Sequence, residues 1–205
     1  MTNFNPFLIH EQKNTIVQNP EPFKWVFDVQ KDGILTADFL QTDKNLDVLV
    51  LLNGEGAKSK INCAYLSNKN NRLNIDIKVL HNVKNTFSEQ KIKGLATDNS
   101  FVNFCGLIEI PHDSQKCDGR LNHRGVLLSS KASILAIPQL EIWADDVQCA
   151  HGSAVGPLDK NQLFYLQARG LNKFDATRLL LHSFLADVMP KDFESVIEKW
   201  MVENV

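Results

Sequence analysis

The chain has 205 residues, with 22 Lys plus Arg against 24 Asp plus Glu and a formal net charge of −2. That length suits one domain, or one domain with a small appendage, and the near-neutral balance offers no positive field for nucleic acid. No apolar run approaches the roughly 20 residues that cross a bilayer, and MTNFNPFLIHEQKN has no basic head followed by a long apolar stretch, so a cytoplasmic protein without membrane contact is expected.

In chain order, residues 1–22 are polar and close with Asn19-Pro20-Glu21-Pro22, a proline density that discourages helix and central strand alike. They are read as an irregular lead-in. From Phe23 the chain reads as short strands separated by polar turns. KWVFDVQ alternates with period two, Asp32-Gly33 signals a turn, and ILTADFL follows. LDVLVLL, SKINCAYL, LNIDIKVL, FVNFCGLIEI, RGVLLSS and SILAIPQLEIWA continue the pattern, broken by Asn53-Gly54-Glu55-Gly56 and SNKNNR. No long amphipathic helix interrupts this region, which disfavours a βαβ fold. A sandwich or barrel and a parallel β-helix both remain open. The scarcity of tight Asn-Gly hairpins leans towards the β-helix, whose stacked coils need none, but no repeat period stands out.

At Pro157 the period changes to that of a helix. Asp159 and Gln162 have the spacing of a capping box, and LFYLQAR runs to Gly170, a left-handed stop. A second helix is expected over Lys173 to Val188, closed by Pro190, and a third from Asp192. In the third, Phe193, Val196, Ile197, Trp200 and Met201 share one apolar face. The organisation is thus a lead-in over 1–22, a β core over 23–157 and a helical domain over 158–205. The tail is too small to bury its own apolar surface, so it must dock on the β core, on a partner, or on both.

The four cysteines, Cys63, Cys105, Cys117 and Cys149, include no C-x-x-C pair, against a zinc finger. Cys63 and Cys105 read as small buried hydrophobes. His112, Cys117 and His123 read as ordinary turn or surface residues. There is no G-x-S-x-G elbow and no phosphate loop, so nothing points to independent catalysis. A polysaccharide-cleaving β-helix would need clustered carboxylates, whereas Asp145 and Asp146 are adjacent and would face opposite ways on a strand. The stretch Cys149-Ala150-His151-Gly152 is different. A thiol and an imidazole two positions apart share one face of a strand, both are metal donors, and small neighbours let a ligand or backbone come close. One strand offers two ligands at most, so a complete site needs others.

Pro138-Gln139-Leu140-Glu141-Ile142, Ala144-Asp145-Asp146-Val147, Cys149-Ala150-His151-Gly152 and Phe164-Tyr165-Leu166-x-x-Arg169-Gly170 together resemble the closing segment of the SufB/SufD family of iron–sulfur cluster assembly proteins. The resemblance is strong over Val126 to Val188 and traceable back to Phe23 through His81-Asn82-Val83, Lys93-Gly94 and Ser114-Gln115-Lys116. His151-Gly152-Ser153 is SufD-like, and Phe87 stands where longer members often keep a cysteine. The resemblance implies a mainly β protein, a right-handed parallel β-helix with a small C-terminal helical domain. It implies a short, non-catalytic subunit of a SufBCD-type scaffold, paired through its last strands with a SufB-like subunit or with itself. The helical domain would dock on a SufC-like ABC ATPase through Phe164, Tyr165, Arg169 and Gly170. No cofactor is expected to be bound stably. Iron or a growing cluster would be held transiently by His151, with Cys149 second, and shared with the partner. The alternative is a stand-alone β-helix binding or structural module without cluster function.

Overall fold

Alternation of apolar and polar residues builds two sheets whose strands interleave along the chain. The computed structural model describes residues 7–18 and 24–205. One sheet contains β1 (Phe7–Ile9), β3 (Lys24–Val29), β5 (Leu46–Leu52), β7 (Arg72–His81), β9 (Phe101–Ile110) and β11 (Ser133–Ile142). The other contains β2 (Gln12–Gln18), β4 (Ile34–Gln41), β6 (Lys58–Ser67), β8 (Phe87–Ala96), β10 (Asp118–Leu127) and β12 (Gln148–Pro157). Every pairing is parallel and joins alternate strands in the chain. Consecutive strands lie in opposite sheets, so the chain winds as a parallel β-helix. A hairpin-linked sandwich would pair consecutive strands instead.

Hydrogen bonds between successive coils show why no period is legible. They join residues 24 apart in Asp38 and Asn62, 29 apart in Asn53 and Asn82, and 31 apart in Gln115 and Asp146. The coils lengthen along the axis. Asparagines that look like strand breakers stack from coil to coil. Asn53 donates to Asp28 at 2.7 Å, and Asn82 donates to Asn53 at 2.7 Å.

The inward positions are the alternate residues of each strand. Leu35, Ala37 and Phe39, then Ile61, Cys63 and Tyr65, then Ile75, Ile77 and Val79 are fully buried between the sheets. Burying each large apolar side chain contributes about 1.5–3 kcal/mol.

Two expectations need correction. The irregular lead-in is already strand within the described residues: Phe7 pairs with Phe27 in the first sheet and Gln12 with Ile34 in the second. β2 is the terminal strand of its sheet, and its residues are exposed or half-buried, so hydrogen bonds to β4 hold it without an apolar period. The Asn19-Pro20-Glu21-Pro22 run lies outside the described residues. β8 had no signature because its inward residues are Ser88, Gln90, Ile92, Gly94 and Ala96. There the ring of Tyr65 fills the interior: a Cβ on Gly94 would lie 2.0 Å from Tyr65 Cε2.

Three α-helices close the described chain: α1 (Lys160–Ala168), α2 (Lys173–Leu185) and α3 (Glu194–Asn204), the last after a 3₁₀ turn at Lys191–Phe193. Asp159 caps α1 by accepting from the Asn161 amide at 2.8 Å. Gly170, at φ +97°, ends it, with the Gly170 and Leu171 amides donating to the Gln167 and Leu166 carbonyls. α2 is capped by Asn172 and stops at Leu185, short of the expected Val188. The tail docks on its own body. Leu181, Leu185, Val188, Phe193, Ile197, Trp200 and Met201 pack on outward-facing Leu40, Ala64, Leu66, Leu95 and Val126. Lys93 Nζ pins the contact, donating to the Phe184 carbonyl at 2.8 Å and the Asp187 carboxylate at 2.5 Å.

A candidate ligand strand and a candidate docking helix

β12 ends its sheet and pairs only with β10 among the described residues; β11 likewise ends the other sheet. Terminal strands leave one row of backbone groups without a ladder partner. In register, Gly119 lies opposite Cys149, Leu121 opposite His151 and His123 opposite Ser153. Leu121 and His123 are buried inside the β-helix, so Cys149, His151 and Ser153 occupy the inner face of the last coil.

Cys149 is half-buried and packs against the core, while His151 is exposed. A Cβ on Gly119 would press to 3.0 Å on Ile108 Cγ2, whereas it would meet Cys149 Sγ at an ordinary contact distance of 3.5 Å. Burial pushes the Cys149 thiol above its ordinary range, opposed by a backbone hydrogen bond at Gly119 and reinforced by Asp118 and Cys117. At neutral pH it is therefore a thiol, and ligation would require it to shed its proton. The outward positions of β12 are Ala150, Gly152 and Ala154. Beside this strand lies a cavity of about 480 Å³ walled by Lys91, Arg120, Asn122 and Arg124.

The other histidines and cysteines do not complete a metal shell. His81 is buried, with Nδ1 on Thr86 Oγ1 and Nε2 on Ser88 Oγ, both at 2.8 Å, and burial lowers its pKa to about 4. His123 is not the turn residue expected; it is fully buried in β10 and likewise lowered by burial to about 4. Cys117 is buried too, with its sulfur 3.1 Å from Thr86 Oγ1. His112 is exposed, beside Asp113. Burial pushes the Cys63 thiol up to about 12. Among the described residues no three His, Cys, Asp or Glu side chains gather to hold an ion. On this face of β12, His151 is open to solvent and Cys149 is half-covered by the core.

Sequence reasoning missed the apolar rim of this last coil. Leu135, Ile137, Trp143 and Val155 are all exposed, Trp143 by 55 %. Their signal was an alternating strand, which looks the same whether its neighbours cover it or not.

α1 carries the second candidate surface. None of its residues is buried, and Phe164 and Tyr165 are 73 % and 56 % exposed. Arg169 lies over the Tyr165 ring at 5.1 Å, a cation–π contact that holds the guanidinium beside the aromatic patch. Gly170 turns the chain immediately afterwards. Tyr165 and Arg169 thus share a face at the end of α1, with Phe164 exposed on the adjoining position.

A body of stacked parallel coils followed by three helices, the first with no buried residue, defines a parallel β-helix protein with a helical C-terminal tail. The sequence pattern of the SUF system FeS cluster assembly, SufBD core domain, matches residues 36–184, more than half of the chain. The chain belongs to the SufB/SufD core family. It is 36 % identical over 137 residues to the iron–sulfur cluster assembly protein SufD of Escherichia coli, covering 67 % of this chain and 32 % of that protein. Identity to SufD of Bacillus subtilis is 37 % over 114 residues, covering 52 % of this chain and 26 % of that protein. Identity to SufB of Bacillus subtilis is 24 % over 135 residues, covering 66 % and 29 %. The chain thus spans between about a quarter and a third of the length of these relatives. No helix among the described residues is long and apolar enough to cross a membrane.

Proposed function

We propose that this chain serves as a non-catalytic, cytoplasmic, SufD-like subunit of an iron–sulfur cluster assembly scaffold. Its last coil abuts a SufB-like subunit or a second copy of itself, and His151 binds iron or the nascent cluster as cargo together with residues of that neighbour. Cys149 is the weaker second donor because its thiol must first lose a proton. A SufC-like ABC ATPase docks on α1 through Phe164, Tyr165, Arg169 and Gly170, and its closure shifts the junction. The observation that carries this reading is the exposed imidazole on the inner face of a sheet-terminal strand, with no third donor nearby among the described residues.

Neutral imidazole is the ligating form, so acid weakens the cargo site. The test is His151→Ala co-expressed with the ATPase and the SufB-like subunit. Cluster assembly is expected to fall at least tenfold with the complex still forming; wild-type assembly by that variant would rule out the ligand role. A stand-alone binding module is the second reading, because α2 and α3 already bury their apolar faces on the body. Co-purification of the ATPase, lost on truncation at Pro157, separates the two.

A further inference from the structure

The interior of the last coils holds a polar line that neither packing nor ligand binding explains. Tyr65 is fully buried on β6, yet its hydroxyl lies 2.9 Å from Nε2 of His123, two strands away on β10. The phenol crosses β8 because the intervening positions are glycines. Register sets Tyr65 opposite Gly94 and Gly94 opposite Gly125. A Cβ on Gly94 would strike the ring at 2.0 Å, and one on Gly125 would press to 3.1 Å from the hydroxyl. His123 stacks on Phe104 with centroids 4.8 Å apart and planes 10° apart. Its Nδ1 lies 3.0 Å from Ser153 Oγ on β12.

Each group in this line finds a partner. A neutral imidazole has one donor and one acceptor, and two hydroxyls satisfy it in either tautomer. Burial holds it neutral. The line runs from β6 to the terminal strand, and Ser153 shares the inner face of β12 with His151, two residues before it. β12 has a ladder on one side only, so a side-chain bond from within is its second tether.

We propose that His123 is a positioning residue, suspended between Tyr65 and Ser153, that fixes the inner face of β12 and thereby the direction in which His151 and Cys149 present their donor atoms. The consequence for cargo rests on the function proposed above; the tether itself does not.

The test uses the full chain and Ser153→Ala, a change at an exposed residue that leaves the core intact. Loss of one hydrogen bond should speed amide exchange in β12 about fivefold, leave β7 and β9 unchanged, and move the imidazole nitrogen signals of His123. Ser153→Thr, which restores a hydroxyl, should return both. Tyr65→Phe should move the same two readouts, and the double variant should move them no further than the larger single change. Unchanged β12 exchange with unmoved nitrogen signals would overturn the proposal, as would acceleration spread evenly over all strands. In the assembled complex, Ser153→Ala should slow cluster assembly several-fold. If His151→Ala assembles clusters normally while Ser153→Ala still loosens β12, the cargo reading fails and the tether stands.

Discussion

The early coils and the last coil are built from the same alternating strands, yet they differ in what lies on each side. Val48, Ile61, Ile77 and Phe104 have a strand on both flanks and are fully buried. In β11 and β12 the same inward positions are only half-covered or open, and Trp143, Leu135 and Val155 stay in solvent. The helical tail repeats the contrast. α2 and α3 bury one face on the body, whereas α1 has no buried residue and only half-covers Leu163 and Leu166. Stability resides where neighbours surround a residue, and the surfaces available to partners are those the fold leaves unfinished.

The largest effect that would break this contrast is in the core. Phe104→Ala should cost about 3–5 kcal/mol through cavity formation, whereas Trp143→Ala in the last coil should change the stability of the isolated chain by about 0.5 kcal/mol or less. Thermal melts of both variants check this, and an equal loss at Trp143 would mean that the last coil is a finished core.

Acid comes next. His81 and His123 titrate near 4 when folded and near 6.5 when unfolded. The unfolded chain therefore binds more protons between those values, and stability falls as pH drops from about 6.5 to about 4, by on the order of 3 kcal/mol per histidine. Denaturant midpoints across that range should show the slope, and His123→Gln should reduce it. A flat profile would mean that these imidazoles are not buried neutral.

The smallest effect on stability is at α1. Phe164→Ala with Tyr165→Ala should leave the melting temperature within about 2 °C, since neither side chain is buried. The same pair should abolish capture of the ATPase in a pull-down. Undiminished capture would move the docking surface elsewhere.

Much of this contrast was legible in the sequence, though unevenly. LNIDIKVL and LDVLVLL announce their inward faces because every inward residue is apolar. β8 does not, since Ser88 and Gly94 face inward to serve His81 and Tyr65, which come from other strands, and Gln90 beside them donates to the Leu107 carbonyl. Two-residue spacing was enough to put Cys149 and His151 on one face. The burial of His123 was not readable, because its partners lie 58 and 30 positions away. The apolar faces of α2 and α3 were evident, but whether the body or a partner covers them depends on outward residues such as Leu40 and Leu95, which look like ordinary strand positions. Turn asparagines hid the coil repeat, because loop lengths vary while the strands stay in register.

The central claim is that the last coil supplies an incomplete donor set that a neighbouring subunit completes. Iron-edge X-ray absorption on the isolated chain and on its complex with the SufB-like subunit tests it most directly. The account predicts iron with a histidine nitrogen in its shell only in the complex, lost with His151→Ala. Iron held as tightly, with the same shell, by the isolated chain would contradict it.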